Sequence, residues 1–360
     1  MIVVYHLLPS LAVGGIETMA TRFMAECPDD IDYRLIVLSK EGPLDIPLTK
    51  QLKTKVEYLG STNSPITYIR AAMRVLAISD SVVVSSTWRA AIVVWLAKRM
   101  GSIPHHVAFT HRSSVAHSID RLLRTWQVHN CVFNIADSES AANWVRNATG
   151  CENVAVLQPI FSPPKALEKR DSRMRICFIG RLAPVKNIEW VCQLVEKISV
   201  LGLPFTFHIY GPDAGSKVQL DRWIKEHADV HFVSGLVVEY CGSLAPEAVH
   251  RIAATYHFIV SCSHTEGFAM SIAEAMQVGV VPVVGNVGGP STYCKEENAI
   301  VLADYSDESL DNAARKVCEI WHDRARYQSM SYCARRTFTS DFFFPTLYAS
   351  FLKRLALNPK

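Results

Sequence analysis

Short apolar runs alternate with longer amphipathic stretches along most of this chain. Ile2 to Leu8 reads as a strand, and the turn Pro9 to Gly15 leads into a helix over Ile16 to Glu26. Arg34 to Ser39, Ser81 to Ser86 and Val107 to Thr110 are short, apolar and β-branched, as buried strands are, and Arg89 to Met100 has the length of a helix. After the apolar stretch Cys131 to Ile135, a further helix is expected to open at Ala136. Strands alternating with helices in this way predict a parallel α/β sheet.

At Gln158 to Arg170 the texture changes to three prolines, mixed charge and no period, which reads as an interdomain linker. The alternation then restarts. Strands are expected at Arg175–Ile179, Phe205–Tyr210, Val230–Val233, His257–Cys262 and Val280–Val284. Helices are expected near Ile188–Leu201, Val218–His227, Pro246–Ala254 and Met270–Val278. Two doubly wound sheets in one chain place a cleft between them, and open parallel sheets bind ligands outside the carboxyl ends of their strands. The loops that follow strands are therefore where chemistry is expected.

Composition narrows the class. The chain has 360 residues, 49% hydrophobic and 20% charged, which excludes a disordered chain and suggests two domains. The longest uncharged apolar stretch, Ala90 to Ala97, is eight residues, against roughly 18 for a membrane span. Residues 1–8 fit a strand better than a signal peptide. No two of the ten cysteines lie closer than 15 positions, and there is no Cys-x-x-Cys, so buried reduced thiols in a cytoplasmic protein are expected. The net charge is +3, all of it in residues 1–165 (16 Lys/Arg, 13 Asp/Glu). Lys98 to Arg124 holds five basic residues, four histidines and one acid, a patch suited to an anionic partner or to a solvated face.

Three loops carry chemistry-bearing residues. Gly14-Gly15-Ile16-Glu17 lies after the first strand at a helix start, where glycine admits close approach of a phosphate and free N–H groups await it. Gly180 to Asn187 follows a strand and holds Arg181 and Lys186, a planar fork and a point charge able to converge on one anion. Ser263 to Glu274 places Glu266 on a loop and Glu274 on the next helix, two carboxylates suited to sugar or ribose hydroxyls, with the helix N-terminus at Phe268, Ala269 and Met270 between them. Taken singly, each also fits a tight turn, solvated cations or a helix cap.

In this order and at these separations, the loops resemble retaining glycosyltransferases of the GT-B fold, most similar to the nucleotide-sugar-dependent group 1 family (carbohydrate-active family four). Glu266 and Glu274 match its Glu-x7-Glu motif, Gly180-Arg181-Leu182 with Lys186-Asn187 its Gly-Arg-Leu…Lys-Asn element, and Gly14-Gly15 its amino-terminal glycine loop. Glu274-Ala275-Met276, Gly279, Pro282-Val283-Val284 and Gly288-Gly289 match as well. Pro290-Ser291 departs from the Pro-Glu of many relatives.

The resemblance implies two Rossmann-like domains facing across a cleft: an acceptor-binding domain over 1–165 and a donor-binding domain over 166–344. The apolar helix 345–357 is expected to cross back onto the first domain. Arg181 and Lys186 would bind the donor diphosphate, Glu274 the ribose and Glu266 the transferred sugar. Gly14, Gly15, Phe268, Ala269 and Met270 would offer backbone contacts, and His111 would lie near the reacting sugar. Base recognition is expected from backbone near Val237. The expected reaction retains configuration, the leaving phosphate taking the acceptor's proton, with no cofactor and no metal because Arg181 and Lys186 supply the charge. The basic patch then suggests a saccharide or lipid-linked acceptor at the cytoplasmic face of an anionic membrane, in cell-envelope polysaccharide, lipopolysaccharide or glycolipid synthesis. Without interleaved aromatics it suggests no nucleic acid. The alternatives are a non-hydrolysing nucleotide-sugar epimerase of the same fold and a non-catalytic saccharide-binding relative.

Overall fold

The computed structural model describes residues 1–42, 45–78, 80–112, 117–161, 173–228, 236–338 and 343–357. The chain divides into two compact units, Met1–Phe161 with Phe342–Lys360, and Ser162–Asp341.

The first unit runs β1 (Ile2–Leu8), α1 (Gly15–Glu26), β2 (Ile31–Val37), α2 (Lys50–Lys53), β3 (Val56–Tyr58), α3 (Pro65–Ala77), β4 (Val82–Ser86), α4 (Trp88–Met100), β5 (His106–Thr110), α5 (Ser118–His129), β6 (Phe133–Ala136), α6 (Glu139–Thr149) and β7 (Val154–Val156). Its seven strands lie in the order β3-β2-β1-β4-β5-β6-β7, all pairings parallel. The order reverses between β1 and β4, the switch point at which such sheets open a crevice. The strands read as continuous apolar runs because both faces are covered: all five residues of β4 are buried.

The second unit runs β8 (Met174–Ile179), α7 (Ile188–Val200), β9 (Phe205–Tyr210), α8 (Lys217–Ala228), β10 (Val237–Gly242), α9 (Val249–Ala253), β11 (Phe258–Ser261), α10 (Met270–Gln277), β12 (Val281–Gly285), α11 (Pro290–Tyr293), β13 (Ile300–Leu302), α12 (Asp307–His322) and α13 (Arg324–Arg336). Its parallel sheet has the order β10-β9-β8-β11-β12-β13, with the switch point between β8 and β11. The last helix, α14 (Phe344–Leu357), belongs to the first unit. Tyr348 packs on Phe23 with ring centroids 4.7 Å apart, and Lys353 pairs with Asp30 at 2.6 Å.

Some sequence expectations are corrected. Ala136 ends a strand rather than opening a helix; the helix starts at Glu139, where the Ser138 hydroxyl accepts from the Ala141 N–H at 3.4 Å. The strand expected at Val230–Val233 and most of the expected linker lie outside the described residues. The basic patch is largely taken apart. Arg124 is buried, stacked 3.8 Å from the Trp144 ring centroid and donating to the Arg112 carbonyl at 2.7 Å. Burial pulls its pKa down to about 10. His106 and His111 are buried too, and Lys98 donates to the Asn130 carbonyl. The cations left in solvent are Arg99, Arg112 and Arg121.

Candidate active site

In the second unit, the loop after β8 presents Arg181 and Lys186. It needs a left-handed turn before α7, and Asn187 supplies it at φ 51° and ψ 55°. Asparagine tolerates this region better than other residues with a Cβ, which is the physical sense of the Lys-Asn pair. Arg181 is half-buried and pairs with no carboxylate among the described residues.

The loop after β11 presents Glu266. Its Oε1 accepts from Lys186 Nζ at 2.5 Å and from the Ser263 hydroxyl at 2.6 Å. The carboxylate side chain is 9% exposed and the lysine 21%. Tyr305 donates to the Ser263 carbonyl at 2.6 Å; burial first, then Cys262 and Glu266, push its pKa above the usual tyrosine range, so it stays a donor. The Phe268 side chain is a buried anchor, with Tyr293 and Phe338 at 5.5 and 5.7 Å between centroids. Ala269 then turns the chain into α10 at φ 61°, a left-handed conformation that costs an alanine about 1–2 kcal/mol. Strain of this size persists where the surroundings over-determine it. The first N–H groups of α10, at Met270 and beyond, therefore sit at the same sheet edge as Lys186. Glu274 follows one turn into α10 and is buried.

Backbone contacts knit these loops together. Leu182 N–H donates to the Pro212 carbonyl, and Ala214 N–H to the Leu182 carbonyl, each at 2.9 Å. His264 N–H donates to Val185 O at 2.9 Å, and Gly289 N–H to Gly267 O at 2.7 Å. The Lys186–Glu266 pair spans the switch point, its cation from the loop after β8 and its carboxylate from the loop after β11. The site so assembled has a paired cation, a guanidinium without an ion pair among the described residues, a helix N-terminus and two buried carboxylates. It is suited to an anion joined to a polyhydroxyl group.

Val237 does not join this group. It is the first residue of β10, 48% exposed and paired with Thr206 near the start of β9, so it lies at the amino edge of the sheet. The carboxyl end of β10 is Gly242, at φ 75°, whose carbonyl accepts from Gly211 N–H at 2.8 Å. The glycine there is the sequence signal that would have found the correct end.

In the first unit, Gly14 is the cap residue of α1, and a Cβ there would crowd the flexible end of Glu17 and touch the Ala12 carbonyl at ordinary contact distance. Gly15 has open space around it. His111 follows β5 and is 9% exposed, its ring stacked on Phe109 at 4.1 Å. Both of its nitrogens have interior partners, Ser86 at 3.1 Å and Asp137 at 3.3 Å.

Residues 162–337 match the family model described as glycosyl transferases group 1. Over that segment the chain is similar to this family. The match covers the whole second sheet and both loops of the Lys186–Glu266 pair. Glycogen synthase 1 of Nitrosococcus oceani is 25% identical over 160 residues, 41% of this chain and 32% of that protein. The chain thus spans about a third of the length of that curated relative. The Anabaena Alr3699/HepE structure in complex with UDP and glucose superposes with a TM-score of 0.76 at 14% identity, covering 98% of this chain and 99% of that one. The lipopolysaccharide outer core galactosyltransferase WaaB superposes at 0.68 and 15%, covering 98% and 100%. Both units thus share the GT-B fold of these two structures.

Proposed function

We propose that this chain moves a hexose from a nucleotide-diphosphate sugar, a UDP- or GDP-sugar, to a saccharide or lipid-linked acceptor of the cell envelope, with retention and without a metal ion. The observation that carries the reading is the Lys186–Glu266 pair at the switch point beside Arg181. Breaking a sugar–phosphate bond builds negative charge on the diphosphate and positive charge on the sugar. Fixed cations and helix N–H groups stabilise the first, commonly the largest catalytic contribution. The diphosphate takes Lys186 and Arg181, Glu266 is left to the sugar hydroxyls, and Glu274 to the ribose. The leaving phosphate accepts the acceptor's proton as the new bond forms on the same face. HepE, whose structure holds UDP and glucose, and WaaB, named for a lipopolysaccharide transfer, support the donor class and the setting by likeness.

The test is calorimetric titration of the protein with UDP-, GDP-, ADP- and TDP-sugars in EDTA. One donor is expected to bind selectively, and Glu274→Ala to weaken it by roughly 10- to 150-fold, the worth of a hydrogen bond to a charged group. No binding to any of them removes the reading.

The membrane setting rests on α5, where Ile119 and Leu122 are 60% and 70% exposed beside Arg121. Arg112→Glu with Arg121→Glu is expected to lower binding to anionic liposomes in flotation, by about fivefold per basic residue lost. Unchanged flotation would reject the membrane contact. Arg124 is left intact because it is buried.

A further inference from the structure

Five buried polar side chains cross the first sheet in an unbroken line of hydrogen bonds. Tyr33 on β2 meets His6 Nδ1 at 2.6 Å, and His6 Nε2 on β1 meets the Ser86 hydroxyl on β4 at 2.7 Å. Ser86 meets His111 Nε2 just past β5 at 3.1 Å, and His111 Nδ1 meets Asp137 Oδ2 just past β6 at 3.3 Å. These are five neighbouring strands in the sheet order, and the His6–Ser86 link bridges the switch point. None of the five residues is more than 9% exposed.

The chemistry of each group fixes the direction. A carboxylate only accepts, so His111 carries its proton on Nδ1 and offers a bare Nε2. Ser86 then donates to that Nε2, and its oxygen accepts from His6 Nε2–H. His6 Nδ1 is left bare and accepts from the Tyr33 hydroxyl. Burial, reinforced by His111, pulls the His6 pKa down to about 3, so the ring is neutral and this pattern is complete. Asp137 is itself held by the Ser138 hydroxyl at 2.8 Å, and the Phe109 ring clamps the plane of His111.

We propose that Asp137, Ser86, His6 and Tyr33 are positioning residues for His111, a transverse relay that keeps its Nε2 an acceptor at the carboxyl edge of the sheet. The ligand group matched to it is a hydroxyl that donates, as a sugar hydroxyl does, taking the place of Ser86 in one of the two longest links of the relay. With a hydrogen-bond donor in place of the Asp137 carboxylate, the relay has one other self-consistent direction, with every donor reversed. Tyr33 would then need a new acceptor. The buried Tyr348 hydroxyl, on a ring packed 6.3 Å from that of Tyr33 and within its reach, is that acceptor. The use of His111 in transfer rests on the function proposed above; the relay does not.

The experiment is nitrogen NMR of the full chain with labelled histidine, His6 and His111 being assigned from His6→Gln and His111→Gln. Opposite tautomers are expected, Nδ1–H on His111 and Nε2–H on His6. In Asp137→Asn the Ser138 hydroxyl holds the amide oxygen on its own side, so the amide nitrogen faces His111. Both rings should then invert, although His6 touches nothing that changed. With Ser86→Ala added, only His111 should invert. The same tautomer on both rings, averaged rings in the parent protein, or a His6 indifferent to Asp137→Asn would overturn the relay. Opposite tautomers in a protein that binds no donor would keep the relay and remove the role in transfer.

Discussion

Lys186→Ala is expected to lower kcat/KM for the nucleotide sugar by about 10²–10³-fold, the loss seen when one preorganised stabiliser of developing charge is removed. Glu266→Gln is expected to behave differently. Lys186 is held by Glu266 at 2.5 Å, so a bound diphosphate must draw the cation away from the carboxylate. Glutamine keeps an oxygen for the Ser263 and Lys186 contacts but removes the competing charge. Binding of the bare nucleoside diphosphate should therefore tighten by up to about fivefold, a gain of roughly 1 kcal/mol limited by solvent screening at the half-buried lysine. Turnover should still fall, because the sugar loses its charged partner. Calorimetry with UDP and GDP and steady-state rates separate the two effects. Equal weakening of both ligands in both variants would show that Lys186 and Glu266 act only as a structural pair.

The residues of that pair were legible in the sequence, though not their contact, because they lie in loops after strands and their chemistry is of few kinds. Arg181, Lys186, Glu266 and Glu274 stand within two short segments. Val237 was misplaced because a strand was expected at Val230–Val233, which put Val237 after its carboxyl end, whereas β10 itself opens at Val237. Its pairing with Thr206, near the start of β9, sets it at the amino edge of the sheet. The three-residue strands β3 and β7 are too short to show a period, and α5 was read as a patch of charge although Arg124 is buried. The relay was invisible for another reason. His6 and Ser86 sit in apolar runs 80 positions apart, and only the order of the strands brings them together. The switch point reads the same way in both units: each joins a residue of its first strand region to one of its fourth, by a hydrogen bond in one and an ion pair in the other.

Gly288→Ala is expected to destabilise the protein by about 2–5 kcal/mol and to abolish donor binding, whereas Gly150→Ala costs about 1–2 kcal/mol and leaves binding intact. Both glycines are left-handed, at φ 57° and 71°. Their surroundings differ. A Cβ on Gly150 has nothing within 4 Å, so only the backbone preference is lost. A Cβ on Gly288 would lie 2.1 Å from the Glu266 carbonyl oxygen and 2.6 Å from its carbon. Neither is the end of a flexible chain, so the loop after β11 must move, and Glu266 moves with it away from Lys186. Gly289 is similarly crowded, 2.5 Å from the Gly267 carbonyl, which gives the Gly288-Gly289 pair its physical reason. Denaturant midpoints of the two variants measure the difference in stability, and donor titration at a temperature where both are folded measures the displacement of Glu266. A folded Gly288→Ala variant with undiminished donor affinity would mean that the position of Glu266 does not govern the site.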